Sequence, residues 1–277
     1  MSKTKITPIC SILYSFIKEN NKDKSQNELD NLIEIAIENN DYSFSTGLLG
    51  AGWLVAYLHQ QEILTDDINE LLYDFDDNFY KLAIKVIVEP DPNLTDLIEI
   101  STYYQQRLQN KSTSYNFYRR FIVFEVMKLL TEQLVKKVNS EHLTKSELVL
   151  LILKLSYLSK TYINEKEIED IYYSKTEELI SYYQQLSIFT AEDTDNIKLL
   201  QLASIQFGNP YWIKEIDKIL LNDNLTESSP LGFITTSMNS FLRNEKEADF
   251  NLSNLNFIDK EDMLYLIISN VKNLKCN

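Results

Sequence analysis

The chain has 277 residues, enough for one large domain or two ordinary ones, and its 44% apolar and 12% aromatic content can fill a sizeable core. Its 27 basic residues face 41 acidic ones, a net charge of −14, and such a surface repels a phosphate backbone, which argues against nucleic acid as a partner. No window approaches the ~18 uninterrupted apolar residues of a membrane span. Two cysteines, Cys10 and Cys276, stand near opposite ends, which fits a disulfide-free cytoplasmic protein.

Residues 7–19 read as a first helix rather than a signal peptide, because Ser11, Ser15 and Lys18 break the apolar segment and no small-residue cleavage site follows. Ser25-Gln26-Asn27-Glu28 has capping-box spacing, with Leu29, Leu32, Ile33, Ala36 and Ile37 on one face after it. The next stretch organises the chain. Gly47, Gly50 and Gly52 fall within six residues and lead into Trp53-Leu54-Val55-Ala56-Tyr57-Leu58, apolar on every side, which predicts a helix with no solvent face. Glycine costs roughly 1 kcal/mol against alanine inside a helix, so three together call for a close approach of a neighbouring helix or ligand.

Thr65-Asp66-Asp67 then starts a helix that carries Ile68, Leu71, Leu72, Phe75, Phe79, Leu82 and Val86 on one stripe and stops at Pro90 and Pro92. A buried helix followed by a half-buried one is the unit of a double-layered ring or solenoid.

Similar pairs follow. Leu97, Ile98, Tyr104 and Leu108 face inward on one segment, and Val123, Met127, Leu130, Leu134 and Val138 on the next. Thr144-Lys145-Ser146-Glu147 is a second capping box, opening a helix through Leu148, Leu151, Leu155 and Leu158. Its partner carries Ile168, Tyr172, Leu179, Tyr182 and Leu186. A fourth pair spans 196–207 and 212–221 around Gly208-Asn209-Pro210, and a fifth spans 231–242 and 259–274. Spacing between inner helices is roughly 30 to 50 residues, within the range of helical-pair repeats. The expectation is one all-α domain over 1–277, an α/α toroid or curved stack of helix pairs.

The run GLLGAGW, then LVAYL, then DINELLYDFDDNFY resembles the first repeat of lanthionine synthetase C-like proteins. The resemblance covers about 40 residues. It implies an α/α toroid whose inner helices open on Gly-x-x-Gly-x-Gly/Ala turns, with Gly47, Gly50, Gly52 and Trp53 as the family motif. Only Pro230-Leu231-Gly232-Phe233 keeps a trace of a later glycine turn. Members of that family that close thioether rings are longer, so an incomplete ring is expected, with apolar faces for a homodimer or another partner to cover.

The family's ring-forming members hold zinc with two cysteines and one histidine, and the metal makes a substrate thiol a thiolate. Their Trp-Cys-x-Gly and Cys-His-Gly stretches have no counterpart here: the window 196–209 reads NIKLLQLASIQFGN. The expectation is therefore a member without zinc, other cofactor or catalytic residues, one that binds a peptide or a peptide-modifying enzyme. The alternatives are a toroid enzyme acting through carboxylates, on carbohydrate for example, or an unrelated helical-repeat interaction module.

Cavity candidates on the inner segments are Tyr57, His59, Glu99, Tyr104 and Glu147. For His59 the bland alternative is packing near a helix C-terminus, an end that suits a cation. His142 sits in a polar connection. Asp74, Asp76 and Asp77 form an acidic knot on an outer helix, expected to be solvated. The tyrosine pairs 103–104, 172–173 and 182–183 are each expected to place one ring in the core and one at the surface.

Overall fold

The computed structural model describes residues 8–16, 22–110, 117–140, 142–161 and 163–221. Among them there is no strand; they form eleven α-helices. These are α1 (Pro8–Tyr14), α2 (Lys22–Glu38), α3 (Leu48–Gln60), α4 (Ile68–Leu71), α5 (Tyr73–Val88), α6 (Leu94–Gln109), α7 (Phe117–Val138), α8 (Lys145–Leu158), α9 (Glu165–Gln185), α10 (Ala191–Phe207) and α11 (Pro210–Leu220). The chain packs as two compact units that divide within α7, between Leu130 and Thr131. The expected fifth pair, Gly232 and Cys276 lie outside the described residues.

The first unit is built around α3 and α6. Every residue of α3 from Leu48 to Leu58 is buried, as its all-round apolar sequence requires. Phe44 meets Glu99, Gly52 meets Tyr103, and Gln60 meets Gln106, so α3 and α6 run side by side in the same direction. Helix α5 lies against both, and α1 and α2 pack on α3.

The glycines act through contact. A Cβ on Gly50 would stand 1.8 Å from the Phe44 carbonyl oxygen, and one on Gly47 2.5 Å from that of Asp41. The backbone entering α3 thus folds back onto its first turn. Asp41 holds that fold: its carboxylate accepts from the Ser43 amide and the Thr46 hydroxyl, both at 2.8 Å, and its carbonyl accepts from the Leu48 amide. Gly52 faces the rings of Phe79, Tyr103 and Phe75, with 2.8 Å from a built Cβ to Phe79.

The second unit repeats the arrangement with α8 and α10 at its centre and α9 and α11 against them. The Asn196 amide donates to the Ser146 hydroxyl at 2.9 Å and that hydroxyl to Glu192, which joins the N-terminal ends of the packed helices α8 and α10, so the two share a direction. Both helices start in capping boxes, Thr144 with Glu147 and Thr190 with Asp193. Gly208 ends α10 at φ +84°, and Asn209 caps α11 with Pro210 in its first turn. Tyr172 and Phe207 stack at 4.1 Å beneath Trp212.

Several details differ from expectation. Helix α2 begins at Lys22, so Ser25 is inside it, buried, with its hydroxyl bonded to that of Ser15 at 2.8 Å rather than capping. The helix after Asp67 breaks at Leu72, which turns Leu72 fully inward and leaves Leu71 exposed. Helix α10 starts at Ala191, five residues before the expected 196, because Thr190 rather than a later residue caps it. On α9 the inward ring is Tyr183, not Tyr182, one step around the helix.

Substituting Gly50→Ala is expected to destabilise the protein by about 3 kcal/mol or more, since the added methyl meets backbone rather than a side chain that can swing away. Chemical denaturation against the unaltered chain measures this. Gly52→Ala, which meets ring edges that can shift, is expected to cost less.

Candidate functional site

The polar residues of the first unit gather toward the C-terminal ends of α3 and α6. Trp53 and Tyr57, one turn apart on α3, stack at 5.2 Å, and Phe44 lies 5.7 Å from Trp53. Burial pushes the Tyr57 hydroxyl up to about 12. Farther along, the Gln106 amide donates to the Gln60 side-chain carbonyl, and the Asn110 amide donates to the Ala56 carbonyl at 2.8 Å. The amide oxygens of Gln106, Gln109 and Asn110, the Tyr104 hydroxyl and Nδ1 of His59 are buried without a hydrogen-bond partner.

Beside them lies a buried ion-pair network. Arg107, on the last turn of α6, grips Asp76 of α5 with two bonds, Nε to Oδ1 at 3.1 Å and Nη2 to Oδ2 at 2.7 Å. One turn earlier on α6 the Tyr103 hydroxyl donates to the same carboxylate at 2.5 Å. Arg119 of α7 adds a contact at 3.4 Å and sits 4.3 Å over the Tyr73 ring. Arg107 also reaches the Asn69 side chain of α4 at 3.2 Å. The Asp76 carboxylate therefore ties α5, α6 and α7, and Arg107 extends the network to α4.

The chemistry of this cluster favours holding over reacting. Burial, then the Asp76 charge, raises the Tyr103 hydroxyl well above its ordinary value, so it stays a donor. Burial opposes charge on Arg107, but its bonds to Asp76 reverse the balance and raise its pKa. His59 shifts down, first through burial and then through the Arg107 charge, so the neutral imidazole is favoured. His59 lies in the last turn of α3, at the helix end where its position in the sequence puts it.

The remaining candidates do not join the cluster. Glu99 is half-buried and accepts from the Phe44 amide at 3.3 Å, so it braces the turn into α3. Glu147 is in the second unit and closes its capping box, accepting from the Thr144 amide at 2.8 Å and hydroxyl at 2.9 Å. His142 is exposed. Asp74 and Asp77 are exposed as expected, but Asp76 is not: it turns inward to Arg107, because neighbours on a helix point 100° apart. Tyr103 and Tyr104 are both buried, against the one-in, one-out expectation, whereas the 172–173 and 182–183 pairs follow it.

Two features escaped sequence reasoning. Arg107 gave no signal of burial among Gln105, Gln106 and Gln109, residues common on solvated faces. Lys154, fully buried on α8 with its pKa pressed well down by desolvation, did leave a sign: it is the one charge inside the run LVLLILKLSYL. Among the described residues no three His, Cys, Asp or Glu side chains gather in a metal-holding group.

Asp76→Asn is expected to cost about 3 kcal/mol in denaturation, since it leaves the Arg107 guanidinium buried without its counter-charge. For His59, the folded value lies below the unfolded one of ~6.5, so the unfolded chain binds more protons between the two. Stability is then present above about pH 6.5 and lost as pH falls through that window. Melting temperatures taken from pH 7.5 down to 5 are expected to fall more for the unaltered chain than for His59→Gln. Compared with known protein families, curated proteins and solved structures, the chain matches none.

Proposed function

We propose that this chain is a lanthionine synthetase C-like protein without the family's zinc chemistry, which binds a peptide or a peptide-modifying enzyme as a scaffold. The observation that carries the proposal is the use of the glycine motif. Gly47 and Gly50 receive the incoming backbone, and Gly52 receives the rings of α5 and α6. The motif thus seats a buried helix between its neighbours, as the resemblance implies for the first inner helix of a toroid. The shared direction of α3 with α6, and of α8 with α10, suits a layer of inner helices backed by outer ones.

The loss of cyclase chemistry is inferred from sequence: two cysteines and two histidines, none within the stretch where the family places its ligands. The carboxylate-enzyme alternative gains nothing from the geometry, because Glu99 and Glu147 each serve a helix start.

Two measurements on the purified full chain test this. Elemental analysis is expected to find zinc far below about one per chain, the stoichiometry of the family's site. A dehydrated model peptide carrying free cysteines is expected to bind, by fluorescence anisotropy, while its thiol count stays constant. Stoichiometric zinc, consumption of thiol or failure to bind the peptide each overturns the proposal.

A further inference from the structure

Residues 61–71, which join α3 to α5, are thinly anchored. Of their side chains only Ile68 is buried, at the start of the four-residue helix α4, and Leu72 closes the segment fully buried. Glu62 is held at φ +58°, left-handed backbone that a side chain disfavours. The amides of Glu62, Ile63 and Leu64 bond back to carbonyls in the last turn of α3, and α4 packs against that helix. Polar groups hold α4 as well. Asp67 caps it by accepting from the Asn69 amide at 2.8 Å, the Asn69 side chain accepts from Arg107 at 3.2 Å, and its backbone carbonyl lies 3.5 Å from Arg119.

His59 stands where this segment meets the ends of α3 and α6. It lies in the last turn of α3, and its neighbour Gln60 accepts from Gln106, which precedes Arg107. Nδ1 of the ring is buried and has no hydrogen-bond partner, so a proton placed there is a buried N–H without an acceptor. Arg107 of α6 opposes a second cation beside it, whereas Asp67 and the Asp66 backbone favour one. Asp76 of α5 is bonded to Arg107, and Glu70 of α4 is exposed. Among the described residues of α1 and α2 no charge acts on the ring. Burial and Arg107 together outweigh the two aspartates, so the closed arrangement suits the neutral ring and not the protonated one.

We propose that residues 61–71 form an acid-released strap with His59 as its sensor, so that protonating the ring detaches the connection and α4 from the ends of α3 and α6. Release brings water to Nδ1, parts the ring from the Arg107 guanidinium and lets Glu62 leave left-handed backbone. Helix α3 stays in place, because every residue from Leu48 to Leu58 is buried. Linkage fixes the direction. In the open strap the ring has its ordinary value of ~6.5, above its closed value, so opening takes up a proton. Opening is therefore flat above about pH 6.5 and rises below it, by at most about tenfold per pH unit, the limit for one proton. The inference rests on His59 and α4 and stands or falls separately from the family reading.

The test is hydrogen–deuterium exchange of the full chain at pH 7.5, 6.5 and 5.5, corrected for the intrinsic pH dependence of amide exchange. The amides of residues 61–71 are expected to open more at pH 5.5 than at 7.5, while those of α3 and α6 keep their protection. His59→Gln has no titrating ring and is expected to hold the strap at pH 5.5 as it does at 7.5. Ile68→Ala removes the anchor but keeps the sensor. It is expected to open the strap more at every pH and to retain the rise below about pH 6.5. Circular dichroism checks the fold of both variants. No rise in the unaltered chain, an equal rise in α3 and α6, or a rise that His59→Gln preserves would each overturn the inference. The first two are read on the unaltered chain alone.

Discussion

The packing of the first unit depends on one contact, the Phe44 carbonyl oxygen against Gly50. With 1.8 Å between that oxygen and a built Cβ, no side chain other than hydrogen fits at that position on α3. Because the backbone turns back so tightly, Phe44 lies against Trp53 and its amide reaches Glu99 on α6. Glu99 thereby sets where α6 starts relative to α3, and Gly52 lets Tyr103 approach four residues later. The glycines carry a helix-propensity cost of roughly 1 kcal/mol each, which close packing of buried apolar surface offsets.

The approach of Tyr103 leads to the second constraint. A ring pressed against Gly52 and Phe79 places its hydroxyl on Asp76, and the next turn of α6 places Arg107 on the same carboxylate. Buried ion pairs are weak evidence for net stability, because desolvation opposes them. Their geometry is demanding, however, and a carboxylate on α5 accepting from α6 and α7 fixes the register of the three helices together. Burial, and after it the Arg107 charge of this network, lowers the His59 pKa. Packing and charge in the first unit are thus consequences of one arrangement.

The two units solve their helix starts differently. In the second, Thr144 with Glu147 and Thr190 with Asp193 satisfy the free amides with local side chains, so α8 and α10 begin where the sequence marks them. In the first, Gly47 offers no side chain to cap α3, and the Asp41 carbonyl six residues back does part of that work. A start built on close approach allows no alanine, while a start built on caps tolerates most changes beyond the capping pair.

Local physics was legible in the residues. The all-helical class, the buried α3, the inward stripes of α6 to α8, the box at Thr144 and the stop at Gly208-Asn209-Pro210 follow from periodicity, propensity and turn chemistry, all acting within a few residues. Even the need for close contact at the glycines could be read, though not what they would touch. What depended on distant partners could not. Asp76 and Asp77 are adjacent acids, and only the arrival of Arg107, thirty-one residues on, draws one half-buried into the fold and leaves the other in water. Ser25 has the spacing of a cap yet lies inside α2, because Ser15 waits to bond its hydroxyl. Tyr183 rather than Tyr182 turns inward through the path of α9 against its neighbours. The sequence determined which segments are helices and which faces are apolar; tertiary packing decided which charges meet, because a pairwise contact across folded chain has no signature in either local sequence.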